Sequence, residues 1–114
     1  MPSSGLSGPY NLTNMGIDAV ATRVAAGAYI LGKTEEGLFK VHYAGRSDDD
    51  VIAKLKEHVN EWYPKFKFDY FPSATAAFEK QCDLYHDFNP PDNKVHPDRP
   101  MNSNVKCPRC PALD

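Results

Sequence analysis

The sequence predicts an α+β fold: a small three-stranded antiparallel sheet flanked by helices, followed by an irregular C-terminal tail. Two observations carry this. Two β-rich runs, "GAYILG" (27–32) and "LFKVHYAG" (38–45), flank a short polar loop containing Gly37 and read as a hairpin. A third alternating run, "KFKFDYF" (65–71), lies between two segments with helical spacing of apolar residues.

Taken in order, residues 1–12 are rich in Ser, Gly and Pro and read as a flexible segment. Thr13 caps a short helix, "NMGIDAVATRV", whose Ile17, Val20, Ala21 and Val24 recur at helical spacing. The hairpin follows. Its connection, "KTEEG", is longer than the two-residue optimum, which predicts a flexible tip. "SDDD" then offers Ser47 or Asp48 as the cap of a helix over 49–61, striped by Val51, Ile52, Leu55 and Val59. Pro72 and Ser73 end the third strand and start a helix over roughly 73–88. Beyond Phe88 lie six of the ten prolines, which excludes a long regular element. The division is a segment 1–12, one domain over 13–93, and a Pro-rich tail over 94–114 packed on it.

The chain has 114 residues, 41% of them hydrophobic and 25% charged, which suits one folded domain. No run approaches the ~20 apolar residues of a membrane helix. The start lacks the basic and apolar regions of a secretion signal, so the expected location is cytoplasmic. A net charge of −2 counts against a large nucleic-acid interface but not against a small local one.

Two groups of residues can carry chemistry. Tyr29 sits in the first run, Tyr43 near the end of the second, and antiparallel pairing brings their hydroxyls to one side. Lys54 and His58 are i, i+4 neighbours on the next helix. Two phenols, an ammonium and an imidazole suit phosphate chemistry: proton relay, and a cation against phosphate oxygens. The plainer reading is half-buried strand tyrosines and a solvated helix face.

The second group is metal-binding in character. Glu79, Cys82 and His86 share a sector about 60° wide on the last helix, at ~100° per residue. Cys107 and Cys110 form a C-x-x-C, "CPRC". With Cys82 and His86 they make a Cys3His set for structural Zn2+, with His96 as the alternative ligand. A metal clip would tie down a tail that has few ways to bury itself. A redox pair fits less well, because no βαβ pattern surrounds the motif.

Gly27-Ala28-Tyr29, then "YAGRSDDDVIAKLKEH", then a helix with "AAFEK", resembles the GIY-YIG endonuclease superfamily over residues 27 to 93. Tyr43-Ala44-Gly45 stands as the second tripeptide. Ser47, Leu55 and His58 sit near a small hydroxyl residue, an apolar residue and a histidine of that family, and Asn93 matches a later asparagine. The resemblance implies a three-stranded antiparallel sheet flanked by helices. It also implies a metal-dependent phosphodiesterase acting on nucleic acid. Tyr43 would help activate water, Tyr29 and His58 would shape the site and relay protons, and Glu79 would hold Mg2+ or Mn2+. Where the family carries a helix arginine this chain has none. Lys54 is the nearest cation and Arg46 a stand-in from the loop. The alternative is a catalytically degenerate module of the same kind that binds nucleic acid or protein without cleaving.

Overall fold

The computed structural model describes residues 4–101 and 103–111; residues 1–3 of the segment expected to be flexible, and 102 and 112–114 of the tail, lie outside them. The elements in order are β1 (Ser7–Asn11), α1 (Asn14–Val20), β2 (Gly27–Glu35), β3 (Leu38–Ser47), α2 (Val51–Glu57), β4 (Lys65–Tyr70) and α3 (Ala74–Phe88). The sheet has four antiparallel strands in the order β1-β4-β2-β3. The expected count of three is therefore corrected. The added strand, β1, lies in the segment expected to be flexible and pairs with β4 at the sheet edge. It tolerates Pro9 because an edge strand can spare a backbone donor.

Strand β2 is the centre, paired with β4 on one side and β3 on the other. Its side chains alternate between two cores. Tyr29 and Leu31 join Ile17, Val51, Leu55 and Phe66 under α1 and α2. Ala28 and Ile30 join Leu6, Ala44 and Leu84 beneath α3. The molecule is thus helix, sheet, helix in section. Complete burial of Ile30 or Leu31 is worth about 1.5–3 kcal/mol each.

Local chemistry sets the element ends. The β2–β3 connection is only Glu36 and Gly37, both at positive φ (52° and 80°), in place of the longer loop expected. That backbone is the primed turn whose twist matches the strands. Helix α1 stops at Val20, earlier than the sequence suggests. The Ala21 amide makes the last helical bond, to the Ile17 carbonyl, and those of Thr22 and Arg23 donate to the Tyr70 hydroxyl at 2.8 and 3.0 Å. The cap of α2 is Asp50, not Ser47 or Asp48: its carboxylate accepts from the Ala53 amide at 3.1 Å. Ser47 holds the preceding turn, accepting from the Asp50 amide at 2.9 Å. Ser73 caps α3, and Asn89, left-handed at φ 45°, ends it.

The segment that leads into the tail is fastened along the free edge of β3. The Asn93 side chain accepts from the Ala44 amide at 2.8 Å and donates to the Ala44 carbonyl at 3.0 Å. One amide side chain thereby does the work of a strand neighbour. The Asp92 amide donates to the His42 carbonyl at 2.9 Å, and the Tyr63 hydroxyl to the Asp92 carboxylate at 2.7 Å.

Candidate functional site: a polar cleft and a His/Cys cluster

The hairpin register brings the two tripeptides together. Gly27 pairs with Ser47, Tyr29 with Gly45, and Leu31 with Tyr43. Tyr29 and Tyr43 therefore point to the same face, with ring centroids 6.5 Å apart. Helix α2 crosses that face and ends at His58. The Tyr29 hydroxyl lies 2.9 Å from His58 Nε2, and His58 Nδ1 lies 2.6 Å from Glu61 Oε1. A carboxylate only accepts, so Nδ1 carries a proton, and in the neutral ring Nε2 accepts from the Tyr29 hydroxyl. The line Tyr29–His58–Glu61 is a directed chain of hydrogen bonds.

Burial pushes the Tyr29 phenol well above its ordinary value, and Tyr43, Glu57 and Glu61 add to the shift. Tyr43 is raised as well, by burial first and then by Glu61. Both stay protonated phenols at neutral pH.

In front of these tyrosines lies a cleft of about 630 Å3. Arg46 and Lys54 line it, as do Asp48, Asp49, Asp50 and Asp98. Arg46 is held in place: Nε donates to Asp48 at 2.7 Å, and one terminal nitrogen donates to Gln81 at 2.7 Å and to the Asp98 carbonyl at 2.6 Å. Its other terminal nitrogen has no hydrogen-bond partner among the described residues, which leaves two donors for an anion. Lys54 faces the cleft beside Glu57, 3.7 Å away.

Glu79 is placed differently from the expectation. It is exposed on α3 and does not line the cleft. The α3 side chain that reaches the cleft is Gln81, which donates to the Ala44 carbonyl at 3.3 Å. Sequence reasoning missed Gln81, a polar residue on the buried side of α3 with Ala77 and Leu84, away from Glu79. It also missed Glu61, although its i, i+3 spacing from His58 was a usable signal.

The second cluster joins α3 to the tail. His86, His96, Cys107 and Cys110 place one ligand atom each within 4.8 Å of one another. Cys107 Sγ is 3.4 Å from His86 Nε2, Cys110 Sγ is 3.4 Å from His96 Nε2, and the two sulfurs are 3.8 Å apart. Such a set is compatible with a structural metal ion. Cys82, expected as a ligand, is not among the four; His96 takes that place. Cys82 is fully buried against Phe78 and Cys107, and its thiol is raised by burial and by Cys107. Burial also pushes Cys107 up, but the Arg109 amide and the His96, Cys82 and His86 side chains outweigh it. They bring Cys107 down to about 6, into thiolate territory.

Comparison with protein-family models, with curated proteins and with solved structures finds no match to this chain. Among the described residues, no helix is long and apolar enough to cross a membrane.

Proposed function

We propose that the chain is a divalent-cation-dependent phosphodiesterase acting on nucleic acid, with its site in the Tyr29–Tyr43 cleft. The observation that carries this reading is the Tyr29–His58–Glu61 line opening into a cleft that also holds a fixed arginine. Attack of water forms one P–O bond and breaks the bond to the leaving oxygen, which takes its proton from solvent. The Tyr29 hydroxyl takes the proton released by the water as its own passes to His58 Nε2, and Glu61 stabilises the imidazolium. A buried phenol serves here because it remains protonated and so acts as a relay. Tyr43 borders the reacting group, and the two spare Arg46 donors meet phosphate oxygens.

Mg2+ or Mn2+ suits the hard oxygen donors present. Such ions take one or two carboxylates plus substrate phosphate. Glu79 lies outside the cleft, so Asp48 and Asp49 are the residues that would hold the ion, and it would offset charge on the phosphate. A second reading, binding without cleavage, is favoured by Gln81: α3 sends a neutral amide into the cleft where a carboxylate was expected.

The test is a cleavage assay with Mg2+ and Mn2+ on labelled single-stranded, duplex, flapped and branched substrates. Cleavage lost in His58→Ala and kept in Glu79→Ala supports the enzyme as drawn. Full cleavage by His58→Ala overturns it. Salt-sensitive binding with no cleavage of any substrate moves the protein to the second reading.

For the His/Cys cluster we infer structural Zn2+. A tetrahedral site with Zn–S of about 2.3 Å requires sulfurs about 3.8 Å apart, and Zn–N of about 2.0–2.1 Å puts nitrogen and sulfur about 3.5 Å apart. Three of the six ligand pairs match these spacings, the sulfurs at 3.8 Å and two nitrogen–sulfur pairs at 3.4 Å. Four protein ligands leave no open position, which suits a clip between α3 and the tail.

A further inference from the structure

Beside the cleft lies a second cavity of about 510 Å3, lined by Tyr43, His58, Glu61, Trp62, Tyr63 and Asp92. Tyr43 borders both cavities, so they adjoin across one side chain. Trp62 is 53% exposed, far more than its size favours. It is nevertheless braced. The His42 ring meets it edge-on at 4.7 Å and 82°, and the Tyr63 ring lies 4.7 Å away, tilted by 39°. A large aromatic surface is thus held in position before any ligand arrives.

We propose that this cavity binds an unpaired, amino-bearing nucleobase, stacked on Trp62, of a nucleic-acid strand whose phosphate lies in the neighbouring cleft. The proposal rests on the phosphodiesterase site above for the place of the phosphate. Three features of the cavity support it. An indole more than half exposed is a stacking platform for any base. The base and phosphate of one nucleotide are close neighbours, as are two cavities that share Tyr43. The polar rim consists of carboxylates. Glu61 spends Oε1 on His58 and Asp92 spends Oδ2 on Tyr63, which leaves each a second oxygen to accept a hydrogen bond. Adenine, cytosine and guanine offer exocyclic N–H donors to such oxygens; uracil and thymine present carbonyl oxygens there. A paired base has its face covered by its neighbours and its amino group engaged, so the strand must be single at this point.

Trp62 is the chain's single tryptophan, so emission excited selectively at tryptophan, beyond the absorption of the six tyrosines, reports this cavity. The experiment titrates the full chain with adenosine, cytidine, guanosine and uridine 5′-monophosphates, and in parallel with ribose 5-phosphate and methylguanidinium. Saturable quenching by the three amino-bearing nucleotides, weaker with uridine monophosphate and absent with ribose 5-phosphate, is expected. Binding of a labelled single-stranded oligonucleotide should weaken roughly tenfold in Trp62→Ala, the loss of one stacked base, and recover in Trp62→Phe. Quenching by methylguanidinium alone overturns the proposal and makes the cavity a receptor for basic side chains. Equal response to all nucleotides overturns the carboxylate selection, and no response overturns the whole. If the protein cleaves but Trp62→Ala binds and cleaves normally, this inference fails while the phosphodiesterase reading stands. Quenching without cleavage has the opposite meaning.

Discussion

Tyr29 and Gly45 face each other across β2 and β3, and a Cβ placed on Gly45 would lie 2.5 Å from the Tyr29 hydroxyl oxygen. The final glycine of "YAG" therefore makes room for the tyrosine of "GAY", and only its lack of a side chain lets that ring reach His58. Gly45→Ala has nowhere to send the clash, because the ring is buried and its hydroxyl is hydrogen-bonded. Overpacking of this kind costs about 1–3 kcal/mol. Denaturant unfolding should show that loss, and cleavage should fall with it. An unchanged midpoint would mean the ring has slack that the register does not show.

The proposed relay through His58 singles out one carboxylate. Glu61 touches His58, whereas Glu79 is exposed outside the cleft. Removing a positioned acid–base group typically costs about 10²–10⁴ in rate. His58→Ala should lie in that range and Tyr29→Phe should approach it. Glu61→Gln should lose less, since an amide still holds the ring but no longer stabilises its charged form. Glu79→Ala should match the parent chain. Single-turnover cleavage rates on one substrate would rank the four, and a Glu79→Ala defect as large as that of His58→Ala would reverse the site assignment.

Tyr29 also links stability to alkaline pH. Its folded pKa lies above the ordinary value of 10.0, through burial first and then Tyr43, Glu57 and Glu61. Above about pH 10 the unfolded chain gives up this proton while the folded chain keeps it. The folded state then binds more protons, so stability falls as pH rises. The contribution is complete below the unfolded pKa and is lost on the climb towards the folded one. For one phenol the slope is about 1.4 kcal/mol per pH unit. Urea unfolding between pH 9 and 11 should be flatter in Tyr29→Phe than in the parent; identical slopes would mean the phenol titrates freely.

The parts legible in the sequence were those with strong local causes. Strands β2, β3 and β4 announce themselves by β-rich or alternating runs, and Thr13 and Ser73 by cap chemistry. What escaped was set by partners distant in the chain. The run "SGPYN" has no strand pattern of its own and becomes β1 by pairing with β4. The charged "KTEE" reads as loop, yet the hairpin carries it to the Glu36–Gly37 turn. At the site, Tyr29, Tyr43 and His58 were readable because the hairpin and α2 place them through local spacing. The exchange of Cys82 for His96 was not. Helical spacing aligns Cys82 with His86, but packing on Phe78 buries the thiol, and the path of the irregular tail brings His96 round to Cys110.

That exchange yields the sharpest prediction for the metal. Purified protein should carry one Zn2+ per chain, released by a chelator with a lowered thermal midpoint, because a closed four-ligand site contributes its binding free energy to folding. His96→Ala and Cys110→Ser each remove a ligand and should weaken zinc binding by more than the roughly 10–100-fold that outer-shell partners are worth. Cys82→Ala should retain stoichiometric zinc, although it leaves a small void beneath Phe78 and lowers the midpoint modestly. Elemental analysis of the three variants beside the parent separates metal loss from general destabilisation. Zinc retained in His96→Ala but lost in Cys82→Ala would restore the Cys3His set and show that the tail passes α3 differently from the path described above.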